Sequence, residues 1–590
     1  MRSFFASAVV GATVASGAQL FGMDIPMDVY TDAPYGAPIS QTMKKNGFGM
    51  SVEQNIYANS YAETTVRAPH VPFDQDFTAQ TNHIETITQY HKAMNEGAND
   101  ASPVYTCANR NPYGDDTTGL SFLPAFGGAV TPTNTTVSFE GTCFSEITLE
   151  YKPVSDTAFD VTVTTANPKK KLCSDVVMFA NTEIQHVEVF FFKGTHTMHF
   201  ETKTQEAQDD MKLTGINAFN FCETAVESIE SLWNTLKMFV GGVSDHPKWP
   251  IIGTHVPKYM EQANVKFIKE AVGHELVERT TKKVEIDPSL VQSGDFFGVM
   301  RLDGLDQIIM YGTGALIGHN VMALRMEDDE LYIVESQDSW YWPTAGLQRT
   351  KYADWMKQAE DASFHVTWHR MRDDVRAKFD VDAAINFFHE TEGMPYGYHN
   401  FLYGWIDTAV DNWPPMLPVH FVPVMFRVLE EITPTTAYNF YAEALNLRLG
   451  TTGLDIEGVV EAAYQQGKTL EDVMAMVEQD GWRYNGNIMN NAFSYVCSAY
   501  VAAIYKAGGL LDETVNATEF ATRDVYVLDF FDTTTPLPEQ CTAADPTLPY
   551  CQLLGNYRVE LDQYSKTTPY PHMFETCEIN FPSYERNAQC

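Results

Sequence analysis

The sequence predicts an α+β fold in which a β-rich N-terminal region precedes a mixed region of helices and short strands. Residues 142–201 contain runs rich in Val, Thr and Phe, and parts of these runs alternate between apolar and polar residues as half-buried strands do. From residue 222 onward, apolar residues recur with helical spacing. A chain of 590 residues is longer than one hydrophobic core usually organises, so we expect two domains, or one domain with large insertions.

The N-terminus has the composition of a secretory signal peptide. Arg2 supplies a positive charge, residues 4–15 form a short apolar stretch, and small residues lead up to Ala18. We therefore expect residues 1–18 to be removed and the protein to be secreted, or delivered to the lumen of the secretory and vacuolar pathway. No later stretch offers the roughly 18 uninterrupted apolar residues of a membrane span, so stable membrane insertion is not expected.

Within the mature chain we expect a β-rich accessory domain over residues 19–215. A second domain is expected over residues 216–590, with a helical insertion at about 375–480 and a loop-rich tail that carries the last four cysteines. In the second domain, the acidic run 327–330 predicts a hairpin turn between two strands. The segment 524–531, DVYVLDFF, predicts a further strand.

The charge of the chain limits its partners. A formal net charge of −38 argues against nucleic acid and against anionic membrane surfaces, because both would repel the molecule.

His365 and His369 have the i, i+4 spacing of a helical metal pair, but their segment equally predicts a strand and lacks a nearby Glu. The sequence contains no H-E-x-x-H, C-x-x-C or EF-hand pattern, so we expect no metal and no cofactor.

The cysteines separate into two even groups and one remainder. Four lie early and four lie late, and each group could close two disulfides in an oxidising compartment. Cys497 lies between the groups, with no neighbour to pair with. Two N-glycosylation sequons, at Asn134 and Asn516, agree with a secreted glycoprotein. The early cysteines are Cys107, Cys143, Cys173 and Cys222, and the late ones are Cys541, Cys551, Cys577 and Cys590.

The free cysteine lies at the predicted start of a helix. Val501, Ile504 and Tyr505 continue an apolar stripe from Cys497, and Asn490, Asn491 and Ser494 are candidate capping residues before it. Unpaired N–H groups at a helix N-terminus stabilise a thiolate, so Cys497 is a candidate nucleophile. The alternative is a buried thiol that acts as a small apolar side chain.

A histidine and a carboxylate upstream make the nucleophile more specific. His319 begins a predicted strand, and the next strand carries Glu335 and Gln337 among apolar residues. If the hairpin turn centres on Asp328, His319 lies opposite Gln337 and diagonal to Glu335 on the same face. Either side chain could accept the hydrogen bond that orients the imidazole.

Four sequence blocks resemble the permuted papain-like amidases, which belong to the superfamily of cell-wall endopeptidases and lecithin–retinol acyltransferase-like proteins. In that family a G-D turn leads a strand, a histidine begins the next strand, a glutamate follows on the strand after it, and the nucleophile comes last in a C-S-x-x-V-x-x-x-Y helix. The blocks are SGDFF at 293–297, GHNVMAL at 318–324, LYIVES at 331–336 and YVCSAYVAAIY at 495–505. A further segment, GMPYGY at 393–398, resembles the family's G-x-x-Y element.

The resemblance implies a circularly permuted papain-like catalytic domain and a cysteine hydrolase. It assigns Cys497 as nucleophile, His319 as general base and Glu335 as the acid that orients His319. The oxyanion hole would use the Cys497 N–H and one further donor. A rival nucleophile, Cys222, also precedes a helix, as in unpermuted members of the superfamily, but it lacks a small residue after the cysteine and would leave three early cysteines.

The expected reaction is cleavage of an amide bond in a peptide or a cell-wall-type peptide, through a thioester on Cys497. Acyl transfer from a lipid is possible by the same mechanism, because the superfamily contains both activities. A different class of function is a secreted binding or surface protein that keeps the fold without catalysis. The long insertion and the large N-terminal region suggest that alternative.

Overall fold

The computed structural model describes residues 124–239, 256–337, 346–394, 420–474 and 493–570, except for 172, 182 and 433. It also describes residues 396, 397, 399, 480, 482–484 and 573. The predicted signal peptide, Cys107, Cys577 and Cys590 lie outside these ranges. Within the described ranges, none of the helices combines the length and the apolar character that crossing a membrane requires.

Residues 125–220 form two antiparallel four-stranded sheets, with strand orders β1-β8-β5-β6 and β2-β3-β4-β7. Alternating apolar residues from both sheets, such as Leu149, Val161 and Phe179, meet in one shared core. The strands are β1 (Ala125–Val130), β2 (Thr136–Phe139), β3 (Phe144–Pro153), β4 (Ala158–Pro168), β5 (Asp175–Ala180), β6 (Gln185–Phe190), β7 (Gly194–Glu201) and β8 (Ile216–Asn220).

A third, six-stranded sheet lies in the second half of the chain, with the order β12-β11-β10-β9-β13-β14. All of its neighbouring strands pair antiparallel. Apolar residues cover both faces, in one cluster that contains Met322 and Val334 and another that contains Val321 and Ile333. The strands are β9 (Phe296–Met300), β10 (His319–Arg325), β11 (Leu331–Gln337), β12 (Gly346–Lys351), β13 (His365–His369) and β14 (Cys551–Leu554).

Helices connect and cover the sheets. The described ones are α1 (Gln205–Leu213), α2 (Ala225–Phe239), α3 (Lys258–Phe267), α4 (Leu305–Thr313), α5 (Tyr352–Asp361), α6 (Asp373–Arg376), α7 (Val381–Thr391), α8 (Phe421–Ile432), α9 (Pro434–Ala437), α10 (Glu443–Leu449), α11 (Ile456–Gln465), α12 (Leu470–Met474), α13 (Cys497–Ala507), α14 (Thr522–Val527) and α15 (Glu539–Ala544). Single π turns follow α3 and α9, and short 3-10 turns occur at Pro288–Leu290 and Ala517–Glu519.

The helical segment from α8 to α12 packs against the N-terminal sheets. Val176 and Met178 of β5 and Phe219 of β8 share a core with apolar residues of α8 and α11. Because strand side chains alternate between faces, β5 uses one face for the core shared with the other sheet and the opposite face for these helices. The sequence did not reveal this packing, since the two segments are far apart along the chain.

The predicted α+β class is confirmed, and the structure corrects several details. The strand β8, which begins just after residue 215, pairs with both β1 and β5. The run 186–201, HVEVFFFKGTHTMHFE, forms two strands, β6 and β7, that belong to different sheets.

The strand predicted over 524–531 is wrong, because α14 occupies its first half and the second half makes only isolated bridges, at Leu528 and Phe531. Asp524 accepts a hydrogen bond from the backbone N–H of Ala521 at 2.7 Å, which caps the first turn of a helix. Burial of the whole segment then allows β-branched residues such as Val525 in the helix, despite their preference for strands.

Candidate functional site

The hairpin of β10 and β11 brings His319 and Glu335 together. Its register pairs Met322 with Val334 and Arg325 with Leu331, which centres the turn on Asp328 as predicted. Nε2 of His319 lies 2.8 Å from Oε2 of Glu335, and both side chains are buried. Since a carboxylate only accepts, Nε2 donates its proton and Nδ1 holds the lone pair of the neutral ring.

The other oxygen of Glu335 is held by two donors that sequence reasoning did not identify. Nε1 of Trp355 lies 3.1 Å from Oε1, and Nε2 of Gln348 lies 3.4 Å from it. Trp355 comes from α5 and Gln348 from β12, so two further elements orient the carboxylate. The pairing of Gln348 with Glu335 in the β11–β12 ladder follows the chain order of two adjacent strands, but no sequence signal points to Trp355.

Gln337, the alternative to Glu335, has a different contact. Continuing the hairpin register places it opposite His319, but its Oε1 lies 3.5 Å from a guanidinium nitrogen of Arg301. Of the two candidates, Glu335 is therefore the one whose side chain contacts the imidazole.

Cys497 is the first residue of α13, as the sequence predicts. The N-cap is Val496, which makes no side-chain capping bond, so the N-cap residue is not Ser494; Asn490 and Asn491 lie outside the described residues. The Cys497 sulfur lies 4.0 Å from the carbonyl oxygen of Gly318. The backbone N–H groups of Asn320 and Ser498 act on the sulfur and lower the pKa of the thiol. The sulfur is thus flanked by the two chain neighbours of His319.

The Cys497 sulfur lies beside the backbone of Gly318, the residue before His319. Among the described residues, no hydrogen bond joins Cys497 to His319, and Nδ1 of His319 has no partner. Both residues are 4% exposed, so the conformation is a closed one. Catalytic hydrogen bonds are often long or poorly aligned in apo structures and tighten only in the reacting complex.

Burial controls the protonation of both groups. It raises the pKa of Cys497 to about 11, although the Asn320 N–H and Arg301 act in the opposite direction. It lowers the pKa of His319 to about 4, with a further contribution from Arg301 and opposition from Glu335. In this closed conformation the thiol and the imidazole are therefore both neutral at pH 7.

The start of α13 is held against the sheet by backbone contacts. Oγ of Ser336 donates to the carbonyl of Tyr495 at 2.8 Å, and the N–H of Gly397 donates to the same carbonyl at 2.9 Å. A Cβ on Gly397 would lie 2.2 Å from the Tyr495 nitrogen, so only glycine fits there. Of the two tyrosines in the GMPYGY segment, Tyr396 is buried in the core and Tyr398 lies outside the described residues.

The G-D turn before β9 forms a hydrogen bond with the same helix, α13. The hydroxyl of Tyr505, near the end of α13, donates to the carbonyl of Gly294 at 3.0 Å. The carboxylate of Asp295 is completely buried and accepts from Nε1 of Trp368 at 3.0 Å and from the Met371 N–H at 3.0 Å. It also pairs with Arg376. Two of the blocks that carried the family resemblance are thus in direct contact.

The cysteine pairing removes the rival nucleophile. Cys143 pairs with Cys173 and Cys541 pairs with Cys551, while Cys497 is the free cysteine among the described residues. Cys222 is also disulfide-bonded, so its thiol is not available.

The histidine pair that the sequence offered as metal ligands does not form a metal site. His365 and His369 lie on strand β13, where residues four apart are roughly 13 Å from each other, too far to share a metal ion. In the described ranges, no group of three or more His, Cys, Asp or Glu residues could hold a metal.

The two glycosylation sequons differ in exposure. Asn134 is exposed, but Asn516 is 7% exposed and its side-chain amide donates a hydrogen bond to Glu519, so that sequon is a poor glycosylation site in the folded chain.

The fold and this cluster define an α+β protein in which a buried His319–Glu335 pair lies on an antiparallel sheet, next to the helix that begins with Cys497. Comparisons of the chain with protein-family models, with curated proteins and with solved structures gave no match.

Proposed function

We propose that the protein is a secreted cysteine hydrolase that cleaves amide bonds in peptide-like substrates. The proposal includes a permuted papain-like catalytic domain, from about residue 216 onward, and a β-rich N-terminal accessory domain. The observation that carries it is the arrangement of three groups: Glu335 is bonded to Nε2 of His319, and the Cys497 sulfur lies beside the backbone of Gly318, the residue before His319.

Each group has one task in the reaction. The sulfur of Cys497 attacks the substrate carbonyl while Nδ1 of His319 takes the thiol proton. The leaving amine then receives that proton from His319, and a thioester on Cys497 remains. A water molecule, deprotonated by His319, hydrolyses the thioester and restores the thiol. Glu335 stabilises the imidazolium that forms in both halves of the reaction, because its carboxylate is already bonded to Nε2.

The closed conformation sets a condition on this mechanism. With the thiol pKa at about 11 and the imidazole pKa at about 4, transfer of the proton from Cys497 to His319 is strongly uphill. The cause is burial, which disfavours both ions. Entry of a polar substrate or of water solvates the sulfur and the ring, and both pKa values then return toward their ordinary range. Catalysis therefore requires that the site opens.

The same burial favours a second candidate, a secreted binding or surface protein on this fold without catalysis. In that case the site stays closed, Cys497 is a buried thiol, and the His319–Glu335 pair serves only to satisfy two polar groups within the core.

Alkylation of the native protein distinguishes the two candidates. The protein is treated with iodoacetamide near pH 7, and Cys497 is quantified by peptide mapping. If the protein is a hydrolase, Cys497 is labelled, and the rate of labelling falls at least tenfold in His319→Ala because the imidazole activates the thiol. His199→Ala, which changes an exposed histidine, is the matched control and should label at the original rate. A Cys497 that stays unlabelled in the native protein, or labels equally in His319→Ala, supports the inactive protein instead.

A further inference from the structure

Three loops meet at one end of the N-terminal β sheets. The first residue of β5, Asp175, pairs with the last residue of β6, Phe190, and Thr165 near the end of β4 pairs with Gly194 at the start of β7. The connections 169–174 and 191–193 therefore lie at the same end. Phe144 pairs with Pro168, so the connection 140–143 reaches this end as well.

This end exposes two adjacent aromatic side chains. Phe191 is 60% exposed and Phe192 is 84% exposed, which makes Phe192 the most exposed large apolar residue of the described chain. Their backbone is fixed, because Oγ1 of Thr165 donates to the carbonyl of Phe192 at 3.1 Å and accepts from the N–H of Gly194 at 3.2 Å. The rings project from a rigid turn and not from a loose loop.

Three lysines lie on the connections that meet at this end. Lys193 follows the two phenylalanines directly, and Lys170 and Lys171 lie on the neighbouring loop; all three are exposed. Among the described residues, none of these three has an ion-pair partner, whereas Lys169 on the same loop pairs with Glu140. In a chain of net charge −38, three unpaired lysines beside two exposed rings form a local exception.

The lysine loop is also rigid. The Cys143–Cys173 disulfide ties it to the connection 140–143. The buried carboxylate of Asp175 accepts from the backbone N–H groups of Thr142 at 2.6 Å and of Phe144 at 2.8 Å. Rings and lysines are thus presented together by a preorganised surface, which reduces the entropy lost when a partner binds.

We propose that this surface, the docking tip formed by residues 169–171 and 191–193, binds the surface of a lipid bilayer that contains anionic headgroups. Aromatic rings enter the boundary between headgroups and acyl chains, and lysine side chains reach the anionic headgroups above it. The docking tip offers both kinds of side chain, two exposed phenylalanines and three exposed lysines. A protein partner fits less well, because two phenylalanines offer roughly 300–500 Å² of apolar surface, below the ~800 Å² that a stable interface buries on each side.

The net charge of the whole chain does not prevent this contact. At about 0.15 M salt the Debye length is about 8 Å, so charges on distant parts of the surface are largely screened at the tip. The lysines at the tip are then the charges that the membrane meets first. Docking is peripheral and does not involve Cys497.

Vesicle binding by the mature full-length protein tests the proposal. One set of vesicles contains three parts phosphatidylcholine to one part phosphatidylserine, and the other contains phosphatidylcholine alone; both are pelleted at physiological ionic strength. We expect binding to the mixed vesicles. The double variant Phe191→Ser, Phe192→Ser should bind about a hundredfold more weakly, at about tenfold for each ring withdrawn from the bilayer. The triple variant Lys170→Gln, Lys171→Gln, Lys193→Gln should lose the preference for phosphatidylserine.

The matched control is Val154→Ser, which removes an exposed apolar side chain in the β3–β4 turn at the opposite end of the same sheet. It should bind as the unchanged protein does. Three results would overturn the proposal: no binding to the mixed vesicles, binding that survives the double phenylalanine substitution, or binding to the soluble polyanion heparin without binding to vesicles.

Discussion

Nε2 of His319 lies 2.8 Å from Oε2 of Glu335 in the interior of the protein, and the second oxygen of Glu335 accepts from Trp355 and Gln348. One carboxylate therefore fixes the orientation of the imidazole and is itself held by two other elements. This second layer of contacts is what a histidine base needs if its free nitrogen is to face a nucleophile in a constant geometry.

Replacement of Glu335 by Gln tests that role. If the new amide NH2 faces His319, it donates to Nε2 and moves the ring proton to Nδ1, which can then no longer accept from the thiol. If it faces Trp355, the indole N–H loses its acceptor. We expect acylation of Cys497 by p-nitrophenyl acetate to slow about a hundredfold, measured by the release of nitrophenolate.

The control for this variant is Glu330→Gln, which neutralises an exposed carboxylate in the turn of the same hairpin. It should react at the original rate. Unchanged acylation in Glu335→Gln would mean that the carboxylate has no part in activating the thiol.

Gly397→Ala should displace the start of α13. The added Cβ would lie 2.2 Å from the backbone nitrogen of Tyr495, an atom that cannot rotate away. We expect the free energy of unfolding to fall by about 2 kcal/mol, measured by urea denaturation, together with slower acylation of Cys497. Gly194→Ala, where no atom lies within 4 Å of the new Cβ, should change neither quantity appreciably. Equal stability of the two variants would contradict the close packing of Gly397.

Acid should destabilise the protein through its buried histidines. Burial lowers four of their pKa values from 6.5: His319 and His420 to about 4, His365 and His399 to about 3. Between about pH 6.5 and about pH 4 the unfolded chain binds protons that the folded chain does not, so stability falls as the pH falls. Asp524, whose pKa burial raises to about 7, acts in the opposite direction. We expect a lower Tm at about pH 5 than at pH 7, measured by circular dichroism.

His420→Phe should flatten this pH dependence. His420 stacks on Phe126 with ring centroids 4.1 Å apart, so a phenylalanine preserves the contact and removes the titration. The exposed His196, replaced by Asn, should leave the slope of Tm against pH unchanged. A slope that does not respond to His420→Phe would show that other groups control the acid sensitivity.

The cysteine pairing predicts one thiol per chain. Cys497 is free among the described cysteines, and pairing of the remaining ones leaves no second thiol. Alkylation in denaturant without reductant should add one carbamidomethyl group, on the peptide with Cys497, by mass spectrometry. The variant Cys497→Ser should add none. A second modified cysteine would refute the even pairing of the other eight.

Much of the candidate site could be predicted from local patterns. The hairpin register follows from the alternation of apolar residues on two strands and the acidic turn between them, and it placed Glu335 diagonal to His319 correctly. Helix periodicity placed Cys497 on the first turn of α13. These features depend on residues that are near in sequence, where chain geometry alone sets the spacing.

The remaining features depend on contacts between distant segments. Arg301 affects the pKa of both Cys497 and His319, and Trp355 bonds Glu335, but neither has a local signature in the sequence. The packing of the helices from α8 to α12 on the N-terminal sheets is of the same kind. The helix α14 appears where local propensity favours a strand, because its capping carboxylate and its burial outweigh that preference.

The most direct test of the account is detection of a thioester on Cys497. The protein is mixed with p-nitrophenyl acetate, quenched in acid after one burst, and analysed by intact mass and peptide mapping. We expect one acetyl group on Cys497, a burst of one nitrophenolate per chain, and loss of both in Cys497→Ser. A protein that remains unacetylated at Cys497, or that acetylates equally in His319→Ala, would contradict the assignment of Cys497 and His319 as nucleophile and base.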